Sequence, residues 1–397
     1  MGKSKLRRWK WAGANLCRLL LSVAFVFSGT VKLIDPRGTQ YKIEDYAVLW
    51  EVDRLLPQGI PLAMAVGLAM TEFYIGFNLF FGIRRRTTTR LALLLMVVMT
   101  PLTLWLAATD VHMDCGCFGD ALVLTNWQTF GKNIVLLAAA IVTVMSYRRL
   151  TRLITERNQW MLSLYSLVFA LGLALYNIHY LPVMDFRPYH IGTDLPKAIM
   201  DEWEGDGSEM RYADFSIQTT EGEDITFDWL GREGYKFLLV APALDNADDS
   251  SMDKINALYD YSQEQGYAFL GLTASDTELI DRWKDLMGAE YDFCQADGTV
   301  LKTMIRSNPG LIMFRDGVIY QKWSCNDLPT VDTPTAPLDG QRMGQLQTPS
   351  RARAVYRLLM WFLIPLIVWT MTDRIWVGSK FYKRYRIHKE NEKENNE

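Results

Sequence analysis

The sequence has few cysteines: five among 397 residues, at Cys17, Cys115, Cys117, Cys294 and Cys325. This number is too small for a fold held together by disulfides, and only Cys115 and Cys117 are close in sequence. The chain also lacks a Walker loop, a dinucleotide-binding fingerprint and a spacing that supports a Ser-His-Asp arrangement. These absences exclude a disulfide scaffold, and they leave no cofactor evident from sequence motifs.

Charge is distributed unevenly along the chain. Residues 182–350 contain 13 Lys or Arg against 30 Asp or Glu, a net charge of −17. The whole chain carries −3, so the remaining residues carry +14. A basic, hydrophobic protein therefore encloses an acidic, soluble segment, which excludes a plain cytosolic enzyme and a disordered chain. We expect no nucleic-acid partner, because the acidic segment cannot neutralise phosphates.

Six apolar stretches predict transmembrane helices. Most are close to the roughly 20 residues needed to cross a ~30 Å hydrocarbon core, although the fourth and sixth are short. The stretches are Ala14–Ile34, Ile60–Ile83, Leu91–Thr109, Gly131–Tyr147, Trp160–Leu181 and Val355–Thr372. The first runs longer than a usual signal peptide and no clear cleavage site follows it, so we expect a retained helix.

Basic residues predict the orientation of these spans. Basic clusters lie in the N-terminal tail, in the loops at 84–90 and 148–157, and in the C-terminal tail. Six spans with both termini in the cytoplasm satisfy all four clusters. The loop after the third span and the acidic segment then share the outer face, which is the periplasm of a Gram-negative cell. We therefore expect an inner-membrane protein whose first partner is the lipid bilayer.

The acidic segment predicts an inserted α/β domain. Its element order, β-β-β-α-β-α-α-β-β, indicates a mixed sheet covered by helices. The first two strands are predicted as a hairpin of Asp214–Gln218 and Asp224–Phe227, and Asp316-Gly317 predicts the last hairpin turn. The expected boundaries are a membrane domain at 1–150, a fifth span within 151–184, the α/β domain at 185–325, a linker at 326–352, a sixth span at 353–378 and a basic, disordered tail at 379–397.

A pair of nearby cysteines is the strongest candidate for chemistry. Cys115, Gly116 and Cys117 lie on the predicted outer loop, flanked by Asp114 and Asp120. Two thiols one residue apart close a small, strained ring, and a strained disulfide suits exchange. The two flanking carboxylates oppose this role, since they raise the thiol pKa. A structural turn stays open as an alternative, as does a metal site with His112, although that spacing matches no standard zinc pattern.

Residues 10–150 resemble the MauE branch of the DoxX-like membrane proteins. The resemblance rests first on the CGCFG element from Cys115 to Gly119, with Phe118 within it. The other matching residues are Ser28-Gly29, Lys32-Leu33, Asp35-Pro36, Tyr46, Glu72, Gly76, Gly82, Trp127 and Lys132-Asn133. MauE-like proteins are associated with disulfide formation in periplasmic partners. The resemblance thus implies a four-helix membrane unit that acts in thiol redox chemistry or in protein maturation. It also implies that Cys115 and Cys117 are the redox pair.

Glu72 is a second candidate residue. It lies about twelve residues into the second span, where an ionised carboxylate is costly and usually functional. Lys32 is the obvious counter-charge, but at 1.5 Å per residue the two differ in depth by roughly 15 Å. We therefore expect no direct ion pair between them. A protonated structural role, a proton path and a quinone contact stay open, and no other feature supports a quinone.

Residues 210–325 resemble a thioredoxin-like domain of the peroxiredoxin or TlpA kind. The matching residues are Asp214-Phe215-Ser216, Gly222, Ile225, Asp297–Val300, Asn308-Pro309 and Leu311–Phe314. The resemblance implies that Pro309 is the cis-proline beside the active site of that fold. The redox Cys-x-x-Cys should lie in Ala243–Ser251, yet this segment contains no cysteine. We expect the domain to bind a client polypeptide without a redox centre of its own.

Two functional hypotheses remain. In the first, Cys115 and Cys117 cycle between dithiol and disulfide, and the outer domain presents a periplasmic client or redox partner. In the second, the chain is a non-enzymatic membrane scaffold or assembly factor with a structural CGC turn. Cys294 and Cys325 are expected to be separate, inert thiols, with a mutual disulfide as the alternative.

Overall fold

The computed structural model describes residues 2–57, 59–109, 119–122, 124–205, 212, 214–331, 336–346 and 351–394. The chain separates into two compact units, one of Met1–Leu175 with Val355–Glu397 and the other of Tyr176–Ala354. The α-helices in chain order are α1 Gly2–Ile34, α2 Pro36–Leu49, α3 Ile60–Phe81, α4 Arg85–Thr109, α5 Asn126–Met145, α6 Gln159–His179, α7 Leu195–Glu204, α8 Thr226–Leu230, α9 Met252–Gln265, α10 Thr277–Met287, α11 Gly298–Met304 and α12 Arg351–Glu394.

The six predicted spans are confirmed as long apolar helices. Helices α1, α3, α4, α5, α6 and α12 each contain a stretch long and apolar enough to cross a membrane. Helix α5 begins at Asn126 and not at the predicted Gly131, because Thr125 and Gln128 form a reciprocal capping box. The fourth span is therefore longer than its sequence pattern indicates.

Two segments of the first unit are helical where the sequence predicted otherwise. The predicted outer loop after the first span contains α2, which starts because Asp35 accepts a hydrogen bond from the Gly38 N–H at 2.9 Å and Pro36 takes the first helical position. The tail predicted to be disordered continues α12 as far as Glu394. Its Lys, Arg and Glu residues favour a helix, and no proline or glycine interrupts the chain after Gly378.

The basic loops meet at one end of the helix bundle. Arg18 of α1 donates to the Thr151 carbonyl at 2.5 Å, and Arg85 of α4 donates to the Leu150 carbonyl at 2.5 Å. Asp373 of α12 joins the same loop, where it accepts a 2.6 Å hydrogen bond from the Thr155 hydroxyl. This arrangement agrees with the alternation of basic and non-basic connections in the sequence.

The second unit is built around one mixed sheet. Its strands are β1 Tyr235–Ala241, β2 Ala268–Thr273, β3 Phe293–Gln295, β4 Gly310–Arg315 and β5 Val318–Ser324. The strand order is β3-β2-β1-β4-β5, with β1, β2 and β3 parallel, β4 antiparallel to β1 and β5 antiparallel to β4. Asp316 and Gly317 both have positive φ, which confirms the predicted turn between β4 and β5.

Helices cover both faces of this sheet. Helices α9 and α10 contribute Leu258 and Trp283 to the core on one face. Helices α7, α8 and α11 contribute Leu195, Trp229 and Leu301 to the core on the other. The predicted α/β class is therefore confirmed, as a thioredoxin-like arrangement of a parallel β-α-β unit followed by a β-hairpin.

Two local predictions in this unit are wrong. The expected strand Asp224–Phe227 is reduced to a single bridge between Gln218 and Asp224, because α8 begins at Thr226. The expected linker at 326–352 is partly structural. Leu338 is fully buried in the core on the α9 side, and the Tyr261 hydroxyl donates to the Ala336 carbonyl at 2.6 Å. The proline and glutamine residues near Leu338 gave this segment the composition of a linker, so its buried apolar residue was not predicted.

Candidate functional site

A buried ion pair joins α1 to α3. The Lys32 ammonium Nζ lies 2.7 Å from both carboxylate oxygens of Glu72, and each side chain is 4% exposed. Ser28 completes the group, since its hydroxyl donates to Glu72 Oε2 at 2.7 Å and accepts from Lys32 Nζ at 2.9 Å. The expectation that Lys32 and Glu72 are too far apart is therefore wrong.

The depth estimate failed because the two helices are not level. The estimate assumed that the last residue of α1 and the first residue of α3 lie at the same depth in the membrane. Gly29 of α1 packs so closely on α3 that a Cβ there would lie 2.5 Å from the Phe73 N atom, and one at Gly76 would lie 2.6 Å from the Val26 N atom. Gly29 is thus level with Phe73, and the first turns of α3 extend past Ile34, where α2 packs against them. Glu72 therefore lies opposite Ser28.

Polar side chains from four helices lie at a similar depth. Ser28 is six residues from the end of α1, Thr103 is six residues from the end of α4, and Asn133 is seven residues into α5. Each therefore lies about 10 Å from that end of its helix. A cavity of about 30 Å³ touches Ser28, Glu72, Lys132 and Asn133. We call this cavity and its polar lining the polar chamber.

One polar residue of the chamber, Asn133, is held by a hydrogen bond. Asn133 donates from Nδ2 to the Thr103 hydroxyl at 3.1 Å, and both residues are buried. Lys132, by contrast, is half-buried and reaches the chamber from α5. The chamber thus connects a buried carboxylate to a partly exposed cation, across a space large enough for about one water molecule.

The cysteine loop is attached at this same end of the bundle. Cys115, Gly116, Cys117 and Phe118 lie outside the described residues, as does His112. Gly119 is described: it has φ +52°, and a Cβ there would lie 3.0 Å from Val31 Cγ1. The described chain therefore stops at Thr109, the end of α4, and resumes at Gly119, close to Val31 of α1, the neighbour of Lys32 in sequence.

In the second unit, Pro309 lies where the resemblance places it. The Asn308-Pro309 peptide bond is cis and directly precedes β4. The segment after β1, where the redox motif of this fold would lie, is hydrogen-bonded to the same loop. The Asp248 N–H donates to the Asn308 carbonyl at 2.9 Å, and Asn308 Nδ2 donates to the Ala243 carbonyl at 2.7 Å.

Cys325 approaches this loop, which the sequence did not indicate. Its Sγ is 3.5 Å from the Ser307 hydroxyl and 3.7 Å from the Asp248 carboxylate. Burial and the nearby Asp248 carboxylate raise the pKa of the Cys325 thiol, although the Ser307 hydroxyl opposes this. The thiol is therefore protonated at neutral pH and is a poor nucleophile.

Cys294 and Cys325 are both free, which confirms the expected absence of a disulfide between them. Cys294 lies on the edge strand β3, whereas Cys325 follows β5 at the opposite edge of the five-stranded sheet. Burial, and to a smaller extent Asp292, raises the pKa of Cys294 to about 11. Within the described residues, no group of three or more His, Cys, Asp or Glu side chains could hold a metal ion.

The sequence therefore identified Glu72, Gly119 and Pro309 as candidate residues, but it did not predict which residues surround them. Ser28, Lys32 and Asn133 were present in the family resemblance, yet nothing local indicated that they surround one cavity. The sequence singled out Cys325 as a thiol but not its contacts, and it gave no signal for Thr103, because only the packing of distant segments brings these residues to their positions.

Comparison with known families supports the interpretation of the first unit as a membrane region. The family model of methylamine utilisation protein MauE matches residues 10–146, which span α1 to α5 and include the cysteine loop. Residues 10–146 are therefore similar to the MauE family. No curated protein matches the chain.

Three solved structures are similar to part of the chain. A protein from Bacteroides thetaiotaomicron assigned as a disulfide isomerase has 16% identity and a TM-score of 0.25, over 29% of this chain and 76% of its own. The bacterioferritin comigratory protein of Xanthomonas campestris has 13% identity and a TM-score of 0.23, over 29% and 83%. Peroxiredoxin 6 of Arenicola marina has 14% identity and a TM-score of 0.21, over 31% and 64%. At such low TM-scores, the fold assignment rests on the sheet order and on Pro309.

Proposed function

We propose that this chain, whose residues 10–146 match the MauE family, is an inner-membrane thiol–disulfide factor. In this proposal Cys115 and Cys117 form a disulfide that exchanges with the thiols of a periplasmic protein client. The observation that carries the proposal is the close approach of Gly119, which follows the cysteine pair in sequence, to Val31, one residue before Lys32 of the buried ion pair.

The second unit has the role of client binding in this proposal. Its thioredoxin-like sheet and cis Pro309 are retained, while the segment 243–251 contains no cysteine. The Asn308 carbonyl already accepts a hydrogen bond from within the domain. We therefore expect side chains around Pro309, rather than main-chain pairing at Asn308, to contact the client. The net charge of −17 on residues 182–350 favours a basic client segment.

Alkylation trapping in intact cells tests the redox pair. We expect Cys115 and Cys117 to be a mixed population of thiol and disulfide that shifts with a pulse of reductant and then recovers. Cys294 and Cys325 give little background, because burial protects them and raises their thiol pKa. Cys325→Ser is the matched control and should leave the cycling unchanged.

The alternative is the membrane scaffold with a structural CGC turn. A pair that stays fully oxidised or fully reduced through the pulse, in cells where Cys117→Ser behaves as wild type, would contradict the redox proposal. The search would then move to what the outer domain binds.

A further inference from the structure

We propose that a groove between α6 and α12 binds an anionic phospholipid, with an acyl chain in the groove and the phosphate on Arg157 and Arg374. The lipid comes from the leaflet at the basic end of the helix bundle. This inference does not depend on the cysteine pair, because it rests on contacts within the first unit alone.

The groove is an apolar cavity of about 390 Å³, a size within the range of small-molecule binding pockets. Its lining includes Trp160, Leu164, Tyr165 and Val168 of α6 and Leu366 and Trp369 of α12. From Trp160 to Val168 the groove follows α6 for about 12 Å. Because the hydrocarbon core is ~30 Å thick, this length corresponds to most of one leaflet. The groove therefore matches the depth of an acyl chain from one side of the membrane.

Specific contacts hold the two helices together beside the groove. Pro365 has no N–H to donate to the carbonyl of Trp361, four residues earlier in α12. The Tyr165 hydroxyl lies 3.4 Å from that carbonyl and donates to the Phe362 carbonyl at 2.8 Å. The rings of Tyr165 and Phe362 also stack, with centroids 5.7 Å apart. A lipid would therefore meet a preformed surface.

The groove leads to the basic end of the bundle along one face of α12. Leu366, Trp369, Asp373 and Trp376 are three or four residues apart, so their side chains share that face. Asp373 is buried and accepts a 2.6 Å hydrogen bond from the Thr155 hydroxyl, in the loop before α6. The end of the groove at Trp369 is thus one helical turn from this loop.

Two guanidinium groups lie beyond that end of the groove. Arg157 precedes Trp160 by three residues, and its guanidinium carbon is 5.8 Å from the centroid of the Trp376 ring. Arg374 donates a hydrogen bond to the Leu153 carbonyl, which uses one of the five N–H groups of a guanidinium. Both arginines are exposed. Each therefore has donors that a ligand can reach.

The neighbouring carboxylates are bound to other groups. Glu156 forms an ion pair with Arg152, and the buried Asp373 is held by the loop contact described above. Guanidinium groups bind phosphate through two parallel hydrogen bonds. Basic pockets between transmembrane helices on the cytoplasmic side bind anionic lipid headgroups. The charge at this end of the groove thus favours an anionic phospholipid over a zwitterionic one.

Native mass spectrometry of the full-length chain, titrated with phosphatidylglycerol or phosphatidylcholine of the same acyl chains, tests the headgroup site. We expect the first phosphatidylglycerol to bind at least about tenfold more tightly than phosphatidylcholine. Arg157→Gln with Arg374→Gln should remove this preference. Arg86→Gln with Arg90→Gln is the matched control and should keep it, because it deletes two exposed arginines of the loop before α4 and in its first turn.

Two tryptophan variants test the groove itself. Val168→Trp fills the groove, whereas Val98→Trp places the same side chain on α4, and the two valines are 60% and 58% exposed. We expect only Val168→Trp to weaken phosphatidylglycerol binding, by about tenfold. Equal binding of the two lipids, equal effects of the two arginine double variants or equal effects of the two tryptophan variants would overturn the inference. A dimer of the chain in place of the lipid adduct would also overturn it, since the groove would then be an interface between copies.

Discussion

At the scale of single residues, Tyr189 places a hydroxyl group in the interior of the second unit. The side chain is 1% exposed, and among the described residues its hydroxyl has no hydrogen-bond partner. Burial raises the pKa of Tyr189, with smaller contributions from Tyr212, Glu202 and Asp214. An unpaired buried hydroxyl costs about 1–3 kcal/mol, so this site lowers the stability of the unit.

We predict that Tyr189→Phe stabilises the second unit by about 1 kcal/mol. The folded tyrosine keeps its proton at pH values where the unfolded one, with a pKa of about 10, loses it. The contribution of this ionisation to the free energy of unfolding is therefore fully present below pH ~10 and is lost as the pH rises further. Phenylalanine should remove that part of the alkaline loss.

Hydrogen exchange of the β1 amides in the full-length chain, measured across this pH range, checks the prediction. Tyr267→Phe is the contrasting variant, since the Tyr267 hydroxyl accepts from the Leu338 N–H at 3.0 Å and its loss should destabilise the unit. Equal effects of the two substitutions would contradict our account of Tyr189.

At the scale of elements, the contact between α1 and α3 determines where the ionisable side chains meet. Gly29 and Gly76 permit backbone contact, and that contact sets the offset that brings Glu72 opposite Ser28. A larger side chain at either glycine would meet backbone atoms of the neighbouring helix and force the two helices apart. The glycines are therefore part of the candidate site.

We predict that Gly29→Ala destabilises the first unit by about 1–3 kcal/mol, as overpacking of a tight contact does. Gly67→Ala on α3 is the matched control, because an added Cβ there meets nothing within 4 Å. Thermal unfolding in detergent should separate the two variants. A stability for Gly29→Ala equal to that of Gly67→Ala would show that the helices can shift without cost.

At the scale of the whole molecule, we expect the distribution of charge to determine membrane orientation. The basic connections meet at one end of the first unit, as the contacts of Arg18 and Arg85 with the loop near Thr151 show. Basic loops are retained in the cytoplasm. We therefore expect the opposite end of the unit, where Thr109 and Gly119 flank the cysteine pair in sequence, to face the outer compartment, where disulfides form and persist.

We predict that a cysteine introduced at exposed Asp260 reacts with a membrane-impermeant maleimide in intact cells, and that one at exposed Arg86 reacts only after permeabilisation. The first position lies in the second unit and the second on a basic loop. The reverse pattern would place the cysteine pair in the cytoplasm and contradict the proposed function.

The sequence by itself determined the six apolar helices, the inserted α/β domain, strands such as β2 and the missing Cys-x-x-Cys. Each depends on local composition or on a short motif, and local propensity survives without tertiary context. Only the tertiary structure decided that Lys32 reaches Glu72, that Leu338 belongs to a core and that Cys325 lies near Pro309. These contacts depend on the offset between helices and on chain packing, which arise from the close approach of residues far apart in sequence. An estimate of depth from position along the chain therefore cannot predict them.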